Sequence, residues 1–94
     1  ENGASYPDAL NGSRQVIDKD RISYFHLYLD KLLDAIDEGH DVRGYFAWSL
    51  MDNFEWGRGF SKRFGLVYVD YPTLQRIPKS SYYWLRDVIA ANAV

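Results

Sequence analysis

A helical pattern followed closely by an apolar run is the feature that most constrains the fold of this chain. Apolar residues recur at helical spacing between Asp18, a candidate N-cap, and Gly39, a helix stop. They form one stripe: Ile22, Phe25, Leu29, Leu32, Leu33 and Ile36. After a short polar connector, residues 44–50 are mostly apolar without alternation, which predicts a buried strand. A helix that leads into a buried strand is half of a βαβ unit, so we expect an α/β fold.

The second half of the chain predicts a small hairpin and a final helix. Residues 66–70 and 75–77 are typical of short strands joined by a turn at 71–74. Pro78 suits the first turn of a helix over 79–91. The expected inner face of that helix consists of Trp84, Leu85, Val88 and Ile89. The order of elements predicts the C-terminal portion of a (β/α)8 TIM barrel, comprising about the last two βα units and the hairpin.

The length of the chain limits how much of a barrel it can form. The sequence has 94 residues, whereas a barrel takes roughly 250 or more. We therefore expect residues 1–94 to be a single segment of one TIM-barrel domain that is incomplete without an N-terminal portion. Two adjacent strands cannot close a barrel and leave unpaired edges, so we expect the segment to be stable only when docked on that portion.

Composition and charge argue against several classes of partner. The net charge is −2 and the basic residues do not cluster, so we expect no nucleic-acid partner. No apolar run approaches the ~20 residues of a membrane span, so we expect no membrane partner. There is no cysteine, which excludes disulfides and thiolate metal sites and fits a reducing, cytoplasmic location. The isolated His26 and His40 make no metal site, and we expect no cofactor.

Residues 48–56 combine two indoles with a carboxylate, an arrangement typical of sugar sites. Flat aromatic faces cover the C–H face of a pyranose, while a carboxylate accepts hydrogen bonds from its hydroxyls. Core packing is the alternative for Trp48 or Trp56 taken alone. A loop ion pair with Arg58 or Lys62 is the alternative for Glu55. Because the two indoles bracket Glu55, we favour the sugar site.

Several motifs at fixed spacing resemble one family over nearly the whole chain. They are Glu-Asn-Gly at residues 1–3, Trp-Ser-Leu-Met-Asp-Asn-Phe-Glu-Trp at 48–56, Ser-Lys-Arg-Phe-Gly-Leu-Val-Tyr-Val-Asp at 61–70 and Pro-Lys-Ser-Ser at 78–81. Together they resemble the C-terminal segment of a retaining β-glucosidase of glycoside hydrolase family 1. The resemblance implies hydrolysis of terminal non-reducing β-D-glucosyl residues, with a β-glucoside or an oligosaccharide as substrate.

The resemblance implies that Glu1 is the catalytic nucleophile. A retaining glycosidase uses two carboxyl groups about 5–5.5 Å apart, one to attack the anomeric carbon and one to act as acid and base. The family's acid/base Glu belongs to an upstream Asn-Glu-Pro motif, which this chain does not contain. The resemblance therefore implies a segment of a catalytic domain that is active only together with the N-terminal portion of the same enzyme.

The resemblance also implies a set of sugar contacts around Glu55. Glu55 would accept hydrogen bonds from the O4 and O6 hydroxyls, Trp56 would donate its indole N–H to a hydroxyl, and Trp48 would lie against the ring. Phe64 would line the pocket near C6 or belong to the core. In the family that this chain resembles, the relatives that act on 6-phosphorylated glycosides have a Ser at the place of Glu55. We therefore expect an unphosphorylated glucoside, with some tolerance for galactosides or fucosides.

Two other interpretations of the function remain open from the sequence. A family-like barrel that lacks one catalytic carboxylate would serve sugar binding or structure. An autonomous small α/β domain would have an unrelated function.

Four further residues near the candidate site are expected to be structural. Asx side chains commonly bond local backbone, so we expect Asp52 and Asn53 to fold their loop rather than to contact substrate. Tyr45 and Phe46 are expected in the barrel core.

Overall fold

The computed structural model describes all residues from 1 to 94 and contains two helices and one hairpin. The elements are α1 (Lys19–Asp37), a 3₁₀ helix (Trp56–Ser61), β1 (Val67–Asp70), β2 (Gln75–Pro78) and α2 (Ser80–Ala91). Both helices and both hairpin strands lie within one or two residues of their predicted bounds, so these predictions are confirmed. Neither helix is long and apolar enough to cross a membrane.

The hairpin forms because alternating side chains give it one buried face. Strands β1 and β2 pair antiparallel, with Val67 opposite Pro78 and Asp70 opposite Gln75. Val67 and Val69 are buried, whereas the side chains between and after them are half-buried. This period of two is the pattern of a strand with one face on the core.

The two helices pack against each other over a small core. The buried cluster contains Phe25 and Leu29 from α1, Leu85 from α2 and Leu66, which directly precedes β1. Tyr24, Leu32, Tyr45 and Trp84 are among the half-buried side chains around it. The core therefore lies between α1 and α2, at the level of the first residues of the hairpin.

The predicted apolar faces are wider than the faces that the helices bury. Leu33, Ile36 and Ile89 are 45%, 42% and 71% exposed. Leu33 and Ile89 instead line an open apolar groove of about 480 Å³. Within residues 1–94, the apolar faces predicted from periodicity are therefore only partly covered.

Residues 44–50 do not form the predicted buried strand within this chain. They pair only at isolated parallel bridges, between Asn2 and Ala47 and, just beyond, between Met51 and Val67. Phe46 and Leu50 are 76% and 59% exposed, whereas Ser49 between them is buried. Tyr45 packs against the core as expected, but Phe46 does not. The segment lacks a second covering layer, so its sides alternate between core and solvent.

The bridge between Asn2 and Ala47 nevertheless gives the predicted chain path. From Asn2 the chain passes through α1 and returns to Ala47, which runs parallel to Asn2. This is the connection that a βαβ unit requires. It places the Glu-Asn-Gly motif alongside residues 46–48, with Gly3 level with Trp48.

Asp18 occupies the N-cap position of α1, but its side chain does not cap that helix. Its carboxylate instead accepts hydrogen bonds from the backbone N–H of Ser81 at 2.8 Å and from the Ser81 hydroxyl at 2.5 Å. Ser81 lies in the first turn of α2, so Asp18 satisfies an N–H that this helix leaves without an internal partner. The side chain that was predicted to start one helix therefore ties it to the other.

Candidate functional site

An open cleft of about 620 Å³ collects every side chain that the sequence predicts to act on a sugar. The lining residues are Glu1, Asn2, Gly3, Tyr24, Trp48, Glu55, Trp56 and Phe64. The structure thus brings together residues from both ends of a span of more than sixty positions. Asn2, Gly3 and Tyr24 were not among the predicted site residues.

A close backbone approach places the Glu-Asn-Gly motif beside residues 46–48. The N–H of Asn2 donates to the carbonyl of Phe46 at 3.0 Å, and the N–H of Trp48 donates to the carbonyl of Asn2 at 2.8 Å. A Cβ on Gly3 would lie 1.9 Å from the carbonyl oxygen of Trp48. Only glycine permits this contact, which gives a physical reason for the glycine of the Glu-Asn-Gly motif.

The side chain of Asn2 is held by two tyrosines. Its Nδ2 donates to the Tyr24 hydroxyl at 2.9 Å, and its Oδ1 accepts from the Tyr45 hydroxyl at 2.7 Å. Burial, and then the proximity of Tyr24, raises the pKa of Tyr45 to about 12. Burial, and then the proximity of Tyr28, also raises the pKa of Tyr24. Both hydroxyls therefore keep their protons at neutral pH, and the network stays uncharged.

Trp48 and Glu55 are joined directly. The indole Nε1–H of Trp48 donates to Oε1 of Glu55 at 3.1 Å. No ion pair in the structure involves Glu55, so the alternative of a loop ion pair with Arg58 or Lys62 is not realised. One carboxylate oxygen of Glu55 thus accepts from an indole, while the other makes no hydrogen bond within the chain. A carboxylate held in this way can accept hydrogen bonds from ligand hydroxyls.

The remaining aromatic residues of the cleft differ in exposure. Trp56 begins the 3₁₀ helix with a φ of 46° and is 84% exposed. Trp48 is 37% exposed, and Phe64 is half-buried. Trp56 lines the cleft with most of its surface free, and its indole N–H has no hydrogen-bond partner within the chain.

The loop that carries Glu55 is anchored at Asp52, as predicted. Asp52 is 4% exposed, and its Oδ1 accepts from the N–H of Gly65 and from Nζ of Lys79, both at 2.9 Å. Its Oδ2 accepts from Nη1 of Arg63 at 2.6 Å. Asn53 also bonds within the loop, to the hydroxyl of Ser49 and the carbonyl of Met51. Neither side chain lines the cleft.

Asp52 belongs to a buried ionic cluster that the sequence did not reveal. The cluster pairs three carboxylates with three cations: Asp8, Asp18 and Asp52 with Arg21, Arg63 and Lys79. Burial by itself lowers the pKa of Arg21, but the hydrogen bonds and charges of Asp8 and Asp18 outweigh it and raise that pKa. The cluster ties the first loop, the starts of α1 and α2 and the loop of Glu55 into one unit.

Sequence signals for the missed residues were weak or lacking. For Tyr24, the only signal was its position beside the apolar stripe, four residues before Tyr28. That position is compatible with a partly buried hydroxyl. Of the six charges of the cluster, only Asp18 and Arg21 form a local i,i+3 pair. Because charged side chains are mostly exposed, no sequence signal indicated that the six are buried together.

Comparison with known proteins identifies the family. Residues 1–94 match Glycosyl hydrolase family 1. A bifunctional β-D-glucosidase/β-D-fucosidase of Bifidobacterium breve is 54% identical over 99% of the chain, and a 6-phospho-β-galactosidase of Staphylococcus haemolyticus is 44% identical over all of it. The solved structure of a family 1 β-glucosidase from Thermotoga maritima superposes with a TM-score of 0.98 at 47% identity, over 99% of the chain.

The match extends over the whole chain but over a minor part of each relative. The chain spans 21% of the Bifidobacterium enzyme, 20% of the Staphylococcus enzyme and 21% of the Thermotoga structure. Its fold is therefore a part of the TIM-barrel fold of these enzymes. The agreement in sequence and in structure shows that this chain belongs to glycosyl hydrolase family 1.

Proposed function

We propose that the protein containing this chain hydrolyses terminal non-reducing β-D-glucosyl residues by a retaining double displacement, with Glu1 as nucleophile. The observation that carries this proposal is the cleft that Glu1 lines together with the hydrogen-bonded pair of Trp48 and Glu55. Membership of the family and the names of the relatives support the reaction class.

The proposed chemistry begins with attack of the Glu1 carboxylate on the anomeric carbon. The glycosidic bond breaks as a carboxylic acid protonates the leaving oxygen, and a glycosyl ester forms on Glu1. The same acid, now a carboxylate, then removes a proton from the water that cleaves the ester. Glu55 is the other carboxylate in the cleft and is bonded to an indole. We therefore assign the acid/base role to a residue in the portion of the enzyme that precedes Glu1.

The need for a preceding portion is also proposed on physical grounds. The open apolar groove lined by Leu33, Phe46 and Ile89 would be covered if further barrel elements packed on it. Large exposed apolar patches of this kind are uncommon on free-standing domains.

The expected cytoplasmic location stays a prediction.

Trapping of the glycosyl-enzyme tests the proposed nucleophile. We expect a 2-deoxy-2-fluoro-β-glucoside with a good leaving group to label the full-length protein once, because the fluorine slows hydrolysis of the ester. Peptide mass spectrometry should place the sugar on Glu1. A label on another residue would contradict the assignment, and an active enzyme without any label would contradict the covalent mechanism.

Glu55 is proposed to select unphosphorylated sugars. The chain is 44% identical to a 6-phospho-β-galactosidase, so overall identity does not separate the two substrate classes. A carboxylate near the C6 position would repel a phosphate, and this local argument favours a neutral glucoside.

Substitution of Glu55 provides the matching prediction. We expect Glu55→Gln to lower kcat/KM for an aryl β-glucoside by about 10–100-fold, because hydrogen bonds to a charged acceptor contribute about 1.5–3 kcal/mol. Glu55→Ser should also reduce the ratio of kcat/KM for the glucoside to kcat/KM for its 6-phosphate. Kinetics with both substrates measure the two effects. The same preference in the wild-type and Glu55→Ser enzymes would rule out the proposed role.

A further inference from the structure

We propose that Asn2 is a positioning residue whose amide, clamped by the hydroxyls of Tyr24 and Tyr45, fixes the backbone that presents Glu1 to the anomeric carbon. This inference rests on the proposed function, in which Glu1 is the nucleophile. Asn2, Tyr24 and Tyr45 form one hydrogen-bonded unit with contributions from the first segment, α1 and residues 44–50. Asn2 and Tyr24 line the cleft together with Glu1.

All four polar groups of Asn2 are engaged. Its backbone N–H and carbonyl bond to Phe46 and Trp48, and its side-chain amide bonds to Tyr24 and Tyr45. The N–H of Asn2 belongs to the same planar peptide as the carbonyl of Glu1. Fixing that plane fixes the position of the Glu1 Cα, from which the carboxylate side chain projects.

Glu1 itself has no other support within residues 1–94. Its side chain is exposed, and no hydrogen bond or ion pair of this chain involves its carboxylate. Within this segment, the position of the nucleophile therefore depends on the backbone next to it. That backbone is held at Asn2.

The chemistry of the clamp requires an amide. Asn2 donates to one hydroxyl and accepts from another, and a carboxylate could not donate. Since burial raises the pKa of both tyrosines, neither hydroxyl ionises near neutral pH. The clamp thus holds its geometry without placing a charge beside the nucleophile.

The test measures the covalent step separately from binding, in the full-length protein. Inactivation by 2,4-dinitrophenyl 2-deoxy-2-fluoro-β-glucoside gives a rate constant for attack by Glu1 and an inhibition constant for binding. We expect Asn2→Ala to lower the rate constant by about 10²-fold, since small misplacement of a reacting group has that cost. Tyr45→Phe should lower it by a smaller factor, and the inhibition constant should stay within about twofold of wild type.

Two comparisons make the result specific. Tyr83→Phe is the matched control, because Tyr83 lies on α2 and its hydroxyl forms no hydrogen bond in the structure; it should leave the rate constant unchanged. The Asn2→Ala/Tyr45→Phe double variant should lose less than the product of the single losses, because both changes break the same contact.

The outcomes separate the clamp from the proposed function. If the wild-type enzyme is labelled on Glu1 but Tyr45→Phe attacks at the wild-type rate, the clamp is overturned and the proposed function stands. Variants that bind the inactivator more weakly, with a higher inhibition constant, but attack it at the wild-type rate would also overturn the clamp. If Asn2→Ala does not fold, Tyr45→Phe decides, since it removes a single oxygen. If Glu1 is not labelled at all, the nucleophile assignment fails and the clamp fails with it.

Discussion

Glu1→Gln in the full-length protein is expected to lower kcat/KM for an aryl β-glucoside by at least about 10⁴-fold, because an amide cannot form the glycosyl ester. Losses of this size follow removal of a nucleophile that acts as part of a catalytic unit. Sugar binding should persist, since Trp48, Glu55 and Trp56 remain in place. Steady-state kinetics and glucose binding by calorimetry measure the two effects.

Glu38→Gln is the matched control for this substitution. Glu38 is exposed at the C-terminal end of α1, where its nearest basic group is His40 at 3.8 Å. Its replacement should leave kcat/KM within about twofold of wild type, as surface changes away from special features usually do. Hydrolysis by Glu1→Gln at the control's rate would rule out Glu1 as nucleophile. A wild-type protein that binds glucose without hydrolysing any β-glucoside would favour the non-catalytic sugar-binding barrel.

Asp52→Ala is expected to lower the free energy of unfolding of the full-length protein by about 3–5 kcal/mol, the usual effect of breaking a buried ion pair from one side. The substitution leaves Lys79 buried with only Asp8, and it takes from Arg63 its carboxylate partner. It also removes the acceptor of the Gly65 N–H. Urea denaturation followed by tryptophan fluorescence measures the change.

The exposed pair of Asp41 and Arg43 supplies the comparison for Asp52. Its closest N–O distance is 2.7 Å, similar to those in the buried cluster, but both side chains are largely in solvent. Asp41→Ala should therefore change stability little, because water screens an exposed pair. Equal effects of Asp41→Ala and Asp52→Ala would show that the cluster does not stabilise the loop of Glu55.

The helices and the hairpin could be predicted because their signals are local. Apolar spacing located α1 and α2, and the strand–turn–strand pattern located β1 and β2. The motifs around Glu1 and Glu55 also selected residues that share one cleft. The catalytic and sugar-binding roles of those residues stay predictions.

Burial was predicted less well than secondary structure. Phe46 and Ile89 have apolar side chains at positions that suit a core, yet both are largely exposed in residues 1–94. Periodicity shows which face of an element is apolar, but the packing of neighbouring elements decides how much of that face is covered.

The sequence by itself determined where the two helices and the hairpin strands form and which family the chain resembles, because propensity, spacing and turn chemistry act between residues close in the chain. Only the tertiary structure decided that Asp18 bonds to α2, that Asp52 pairs with Lys79, and that Tyr24 and Tyr45 clamp Asn2. These contacts join residues 22 to 63 positions apart. Their partners are chosen by the packing of α1, α2 and the loops, which no local pattern in the chain records.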